Sequence, residues 1–111
     1  MPIINVRNSV ATGASVNPLS GSQYEYLPFN ALVEIGVTAN VNLVLATVSS
    51  GSDILMEEGP VTLGTADVFP KYPDEYTLQD VAAAGDRLKV NIRNTNAGTA
   101  VIMTSVRITP I

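Results

Sequence analysis

Ala84-Gly85-Asp86-Arg87-Leu88-Lys89-Val90-Asn91-Ile92-Arg93-Asn94-Thr95-Asn96-Ala97-Gly98-Thr99, running on to Ile108, is the stretch that decides how the chain folds. Gly85-Asp86 is a turn dipeptide, because Gly accepts positive φ and Asp can hydrogen-bond its own backbone. Beyond it Leu88, Val90 and Ile92 alternate with Lys89, Asn91 and Arg93. A period of two sends the apolar side chains to one face and the polar ones to the other, the mark of a half-buried strand. Asn94-Thr95-Asn96-Ala97-Gly98 is rich in residues that accept turn geometry. A second alternating run follows, with Ala100, Ile102, Thr104, Val106 and Ile108 on one parity. Two such runs joined by an Asn/Gly loop predict an antiparallel hairpin.

Working outward, the same punctuation recurs. Pro2 to Val10 suits a first strand at a sheet edge, and Ala11 to Ser22 reads as a loop through Thr12-Gly13, Asn17-Pro18 and Ser20-Gly21-Ser22. Residues 1–22 thus form an extended N-terminal strand and loop. From Leu27 the odd positions Phe29, Ala31, Val33, Ile35 and Val37 are apolar, although Pro28 cannot donate to a ladder and pushes the strand's start toward Phe29. Val41 to Val48 is a nearly continuous β-branched and apolar run, expected to be covered on both faces. Ile54 to Glu58 is a short strand ended by Gly59-Pro60, and Val61 to Val68 is one weak strand or two fragments around Gly64. Phe69 to Tyr76, with Pro70 and Pro73, is an exposed loop. Thr77 to Ala84 is a strand and turn, Leu78 and Val81 being joined across a kink; two helical turns ended by Gly85 are the other option.

About eight short strands with turn signals at such spacing predict an all-β, two-sheet antiparallel sandwich with little or no helix. Long loops after the first and fourth strands favour Greek-key crossovers. An immunoglobulin-like core usually shows Cys and Trp, and the chain has neither, so jelly-roll topology leads. Residues 1–111 read as a single domain.

Composition narrows the chemistry. The chain has no Cys and no His, which removes thiolate zinc sites, Ser-His-Asp and Cys-His nucleophiles, and the commonest general base. The expectation is a non-enzyme with no catalytic residues, no cofactor and no metal. Two carboxylates can hydrolyse without histidine. However, Glu57 and Glu58 are neighbours and point to opposite faces of a strand, and Asp74-Glu75 have no visible partner. Asp53, Glu57, Glu58 and Asp67 supply oxygen ligands but lack the regular spacing of a calcium loop.

Hydrophobic residues make up 46% and charged residues 14%, well below the roughly 25% charge of typical soluble domains. A surface so poor in charge fits either an assembly or a small sandwich clothed in Ser, Thr and Asn. Net charge is −4, which argues against direct binding to nucleic acid. Asp53 to Asp80 holds seven acids and one base, whereas Asp86 onward holds one acid and four bases. That asymmetry allows subunits to meet acid to base; solvated charges on two surfaces are the plainer reading. No apolar run reaches the roughly 20 residues of a membrane span. The N-terminus lacks a secretion signal, and the expectation is a soluble product of the cytoplasm.

Tyr72, Asp74 and Tyr76 are the candidate binding residues. Tyrosine offers a flat apolar face for a sugar ring, and a neighbouring acid can bind its hydroxyls. The same loop can instead stiffen a long connection or pack on a neighbouring subunit.

The segment Ala83-Ala84-Gly85-Asp86-Arg87-Leu88-Lys89-Val90-Asn91-Ile92-Arg93-Asn94-Thr95 resembles small single jelly-roll virion proteins of tailless bacteriophages, of capsid, vertex or cement type. In these an Ala-Gly-Asp-type turn leads into a strand ending in Arg-Asn-Thr-like residues, followed by a last strand. The resemblance implies a non-enzymatic shell or vertex component located in the virion and made in the host cytoplasm. Its partners would be itself, as a trimer or pentamer, and other capsid proteins. A carbohydrate- or receptor-binding β-sandwich module is the alternative. The two separate at one residue: Tyr72→Ala abolishes retention on a glycan column with oligomer size unchanged if the loop binds sugar. It shifts the size seen by light scattering if the loop is an interface.

Overall fold

A computed structural model describes residues 3–51, 53–65, 68–70, 76 and 78–111. Among these the chain forms strands β1 (Ile3–Val10), β2 (Ser15–Val16), β3 (Ala31–Ala39), β4 (Val44–Ser50), β5 (Asp53–Pro60), β6 (Thr62–Leu63), β7 (Leu78–Ala82), β8 (Leu88–Asn94) and β9 (Ala100–Pro110). No helix occurs among the described residues. The alternation that identified β8 is realised residue by residue: Leu88, Val90, Ile92 and Asn94 are buried, and Lys89, Asn91 and Arg93 are exposed.

Two sheets result. One runs β1-β9-β3-β7, with β6 beside the far end of β3; the other runs β2-β8-β4-β5. The pairs β1–β9, β2–β8, β3–β7 and β4–β5 are all antiparallel. They are the rungs of one long ribbon, β1 to β4 forming one arm and β5, β7, β8 and β9 the other, rolled so that its rungs alternate between sheets. That order is the double Greek key of a jelly roll. Among the described residues the one departure from antiparallel pairing is β6, a two-residue parallel contact at Thr38↔Thr62 and Ala39↔Leu63. Leu88, Val90 and Ile92 share the core with Val33, Ile35, Val44, Val48, Ile102, Val106 and Ile108. Each such side chain contributes about 1.5–3 kcal/mol by leaving water.

The expected hairpin of the last two strands does not form. β8 lies between β2 and β4, and β9 lies between β1 and β3 in the opposite sheet. Burial explains the error. In β9 the outward positions Met103 and Ser105 are buried as well as the inward Ile102, Thr104 and Val106, so β9 is a central strand with both edges taken. The Asn94–Gly98 loop therefore crosses the roughly 10 Å between sheets rather than folding back within one.

Asn94 makes that crossing possible. Its side chain is fully buried. Its Nδ2 donates to Val10 O and Gly98 O, both at 2.9 Å, and its Oδ1 accepts from Asn96 N at 2.9 Å. Its own backbone N–H donates to Ala14 O at 3.0 Å, and its carbonyl accepts from Gly13 N at 2.9 Å. One side chain thus ties the end of β1, the approach to β2 and the loop between the sheets.

Other boundaries moved for local reasons. The loop expected over Ala11 to Ser22 contains β2, whose two residues pair Ser15↔Arg93 and Val16↔Ile92. β3 starts at Ala31 rather than near Phe29, because the segment before it is used elsewhere: Leu27 N donates to Asp86 O and Leu27 O accepts from Gly85 N. β4 starts at Val44, after Leu43 takes a left-handed φ of 61°. β7 is a regular strand without the expected kink. Leu78 and Ala82 face inward and Val81 faces out.

Asn94→Ala should lower unfolding free energy by about 2–4 kcal/mol, because it orphans buried carbonyls and an amide. A urea titration followed by circular dichroism measures the loss, with an unchanged slope expected.

Candidate interaction surfaces

The ribbon's turns gather at the two ends of the sandwich. At one end the segment before β3 clamps the Ala84–Arg87 turn. Leu88 N donates to Glu25 O at 2.7 Å, Ala84 N donates to Asn30 Oδ1 at 2.9 Å, and Tyr26 forms a lone antiparallel bridge with Arg87. Glu25 reaches across to Arg87, with Nε–H donating to Oε2 at 2.9 Å, while its Oε1 accepts from Gly21 N at 3.1 Å. Arg87 also lies over the Tyr26 ring, 5.8 Å from its centroid. The adjoining β4–β5 turn requires Gly51, which has a φ of 59° and whose missing side chain leaves room for the Asp86 carboxylate 2.8 Å from where a Cβ would stand.

The Gly21 amide foremost, then the Arg87 guanidinium, hold the Glu25 carboxyl below the usual carboxylate range, against the opposing effect of its burial. Sequence reading passed over this pair, since 62 residues separate its members. The only hint was an acid between two tyrosines in a loop.

At the other end the surface is rich in amides. Thr95 N donates to Leu43 O at 2.9 Å, and the Thr95 hydroxyl donates to the same oxygen. Asn96 Nδ2 donates to Asn42 O at 3.0 Å and to Asn42 Oδ1 at 2.9 Å, and Thr12 Oγ1 donates to Asn96 O at 2.5 Å. These bonds hold Leu43 in its left-handed conformation, which costs a leucine roughly 1–2 kcal/mol, with its side chain mostly exposed.

The candidate binding loop is only partly described. Tyr72 and Asp74 lie outside the described residues, as does Asp67; Phe69 and Tyr76 are half-buried and Pro70 is buried. Asp53, Glu57 and Glu58 are exposed along β5. Among the described residues no three carboxylates cluster in a way that could hold a metal ion. Glu58 instead pairs with Arg93 at 2.6 Å, so part of the acid–base asymmetry is satisfied within one chain. No described helix is long and apolar enough to cross a membrane.

The outer face of the β1-β9-β3-β7 sheet carries a different feature. Val81 is 65% exposed and stands opposite Leu32, which in turn faces Thr109. In the next row Ile3, 57% exposed, faces Arg107, and Arg107 faces Glu34. Ile111, 70% exposed, follows β9 and donates its N–H to Asn30 O at the same end. Exposed apolar side chains thus stand toward both edges of this face, Ile3 on β1 and Val81 on β7, with Arg107 and Glu34 on the two strands between them. Parity could have located Val81, since Leu78 and Ala82 are in register to point inward. Ile111 had no such signal.

Comparison with known proteins adds no relative: no protein-family model, curated protein or solved structure matches the chain.

Because the folded Glu25 carboxyl titrates below its unfolded value, its stabilisation is complete above the unfolded range, near pH 4.3. It is lost as pH falls through the folded value. Glu25→Gln should therefore be less stable than the unmodified chain at pH 7, and the two should converge in acid. Urea midpoints measured from pH 7 down to pH 3 test the sign.

Proposed function

We propose that this chain is a non-enzymatic structural protein that builds or decorates the symmetric shell of a virion, as a capsid, vertex, cement or spike component. It would act by association of its sandwich with further copies and with other shell proteins. The observation that carries the reading is the exposed apolar group Val81 and Ile111, beside Leu32, at one end of one sheet face. Monomeric proteins seldom leave large apolar side chains grouped together, and such groups usually meet a partner. The low charge of the chain supports the same reading, since interface centres are depleted of charge. So does the rolled β-ribbon, which fits the sequence resemblance to single jelly-roll shell proteins.

The mechanism would be burial rather than chemistry. Standard interfaces bury roughly 1,200–2,000 Å² in total. Repeating a modest contact around a symmetry axis multiplies its effect without demanding tight binding at any one contact.

Light scattering across a concentration series should give a discrete closed oligomer. The double substitution Val81→Lys and Ile111→Lys, at exposed positions, should reduce its size while leaving the circular dichroism spectrum and thermal midpoint nearly unchanged. An unaltered oligomer would take this face out of the assembly.

A further inference from the structure

Among the described residues the edges of the two sheets are not alike, and β6 at the end of β3 has only two residues. β2, at one edge, has two residues. β5 is distorted by register shifts between Ala46 and Val48 and between Val48 and Ser49, carries Asp53, Glu57 and Glu58, and ends at Pro60. β7 has five residues, with Asp80 at its centre. Shortness, bulges, charge and proline are the means by which sheets avoid pairing edge to edge. β1 uses almost none of them. Its eight residues pair with β9 in unbroken register, from Ile3↔Arg107 to Val10↔Ala100, with no proline and with Arg7 as the single charge. Among the described residues no strand lies along its outer side. Alternate N–H and C=O groups of an edge strand face away from its neighbour and form a template for another strand.

We propose that this edge pairs with the same edge of a second copy, antiparallel about a two-fold axis, so that one continuous sheet runs through both molecules. The proposal deepens the assembly reading by naming one of its contacts, and rests on it only in requiring that copies associate.

The sequence of β1 selects both the occupant and the register. Paired residues in a sheet point to the same face. Ile3, Asn5, Arg7 and Ser9 are the exposed set and Ile4, Val6 and Asn8 the half-buried one, so the axis must pass through a residue and not between two. An axis at Arg7 would set two guanidinium groups directly opposite each other. An axis at Asn5 would pair only the segment from Ile3 to Arg7. An axis at Val6 pairs Ile3 to Ser9 of each copy, places Asn5 opposite Arg7, and brings the two Val6 side chains together, a favourable β-branched pair. The strand is its own complement in that register, with no like charges opposed.

The chain has no cysteine, so a single introduced one reports the register. Residues directly opposite in an antiparallel pair have Cα atoms about 4.5–5.5 Å apart, within disulfide reach. Under mild oxidation Val6→Cys should give a covalent dimer on a non-reducing gel. Ser9→Cys, exposed but far from its own copy in this register, should not. Asn5→Lys, which faces a lysine with the partner's Arg7 on both sides of the axis, should weaken self-association roughly tenfold by light scattering. In the unmodified chain, alternate amides from Ile3 to Val10 should exchange more slowly as concentration rises. Cross-linking at Ser9→Cys as readily as at Val6→Cys overturns the proposal. An oligomer indifferent to Asn5→Lys, with unprotected β1 amides, also overturns it and leaves the assembly reading standing. A chain that stays monomeric and binds no shell overturns both.

Discussion

A buried carboxamide, that of Asn94, determines how the two halves of this sandwich meet. A jelly roll must carry its last two strands into opposite sheets, and the crossing loop brings backbone polar groups to the edge of an apolar core. Each such group costs about 1–3 kcal/mol if it is left unpaired. Asn94 satisfies three of them with its own side chain and two more with its backbone. An apolar residue there would continue the alternation of Leu88, Val90 and Ile92 and pack well, yet it would leave the β1 end and the loop without partners. The polar residue at an inward position is the condition for the crossing.

The opposite end solves the same problem with charge. Glu25 answers the Gly21 amide with one oxygen and Arg87 with the other, while its backbone carbonyl accepts from Leu88. The Arg87 side chain is 43% accessible to solvent, which screens the pair, so its effect is better described as orientation than as strength. It holds the segment after β2 against the start of β8, and this places Leu19 and Leu27 in the core. The two clamps act on opposite ends of one strand, β8, which is why the strand that was plainest in the sequence is also the one on which the roll is wound.

What was legible in the sequence follows from the range of each interaction. Strand existence is a local matter of alternation and turn residues, and β1, β3, β4, β5, β7, β8 and β9 were all visible at least in outline. Partner choice is not local. Leu88–Asn94 and Ala100–Pro110 look like the arms of a hairpin until the burial of Met103 and Ser105 shows that β9 is closed in on both sides. β2 was hidden because two residues carry no period, and Val81 was joined to Leu78 across a kink instead of being placed by parity. Of the candidate site, the tyrosine loop was chosen for its composition, while the exposed apolar face depends on which strands become neighbours. No window of sequence holds Ile3, Leu32, Val81 and Ile111 together.

The placement of that face bears on what an open β1 edge can accomplish. A two-fold contact is isologous and closes on itself, so edge pairing alone makes a dimer and stops. A shell needs a second contact that does not share the axis. Val81 lies on β7, separated from β1 by β9 and β3, and therefore sits at the far side of the same sheet. A pair of molecules joined at β1 would carry its two Val81 regions at its outer ends, pointing away from each other and unable to satisfy one another within the dimer. Any contact made there would reach a further copy or another protein. On the proposed reading, the same sheet would hold one contact that ends growth at a dimer and one that joins dimers into something larger.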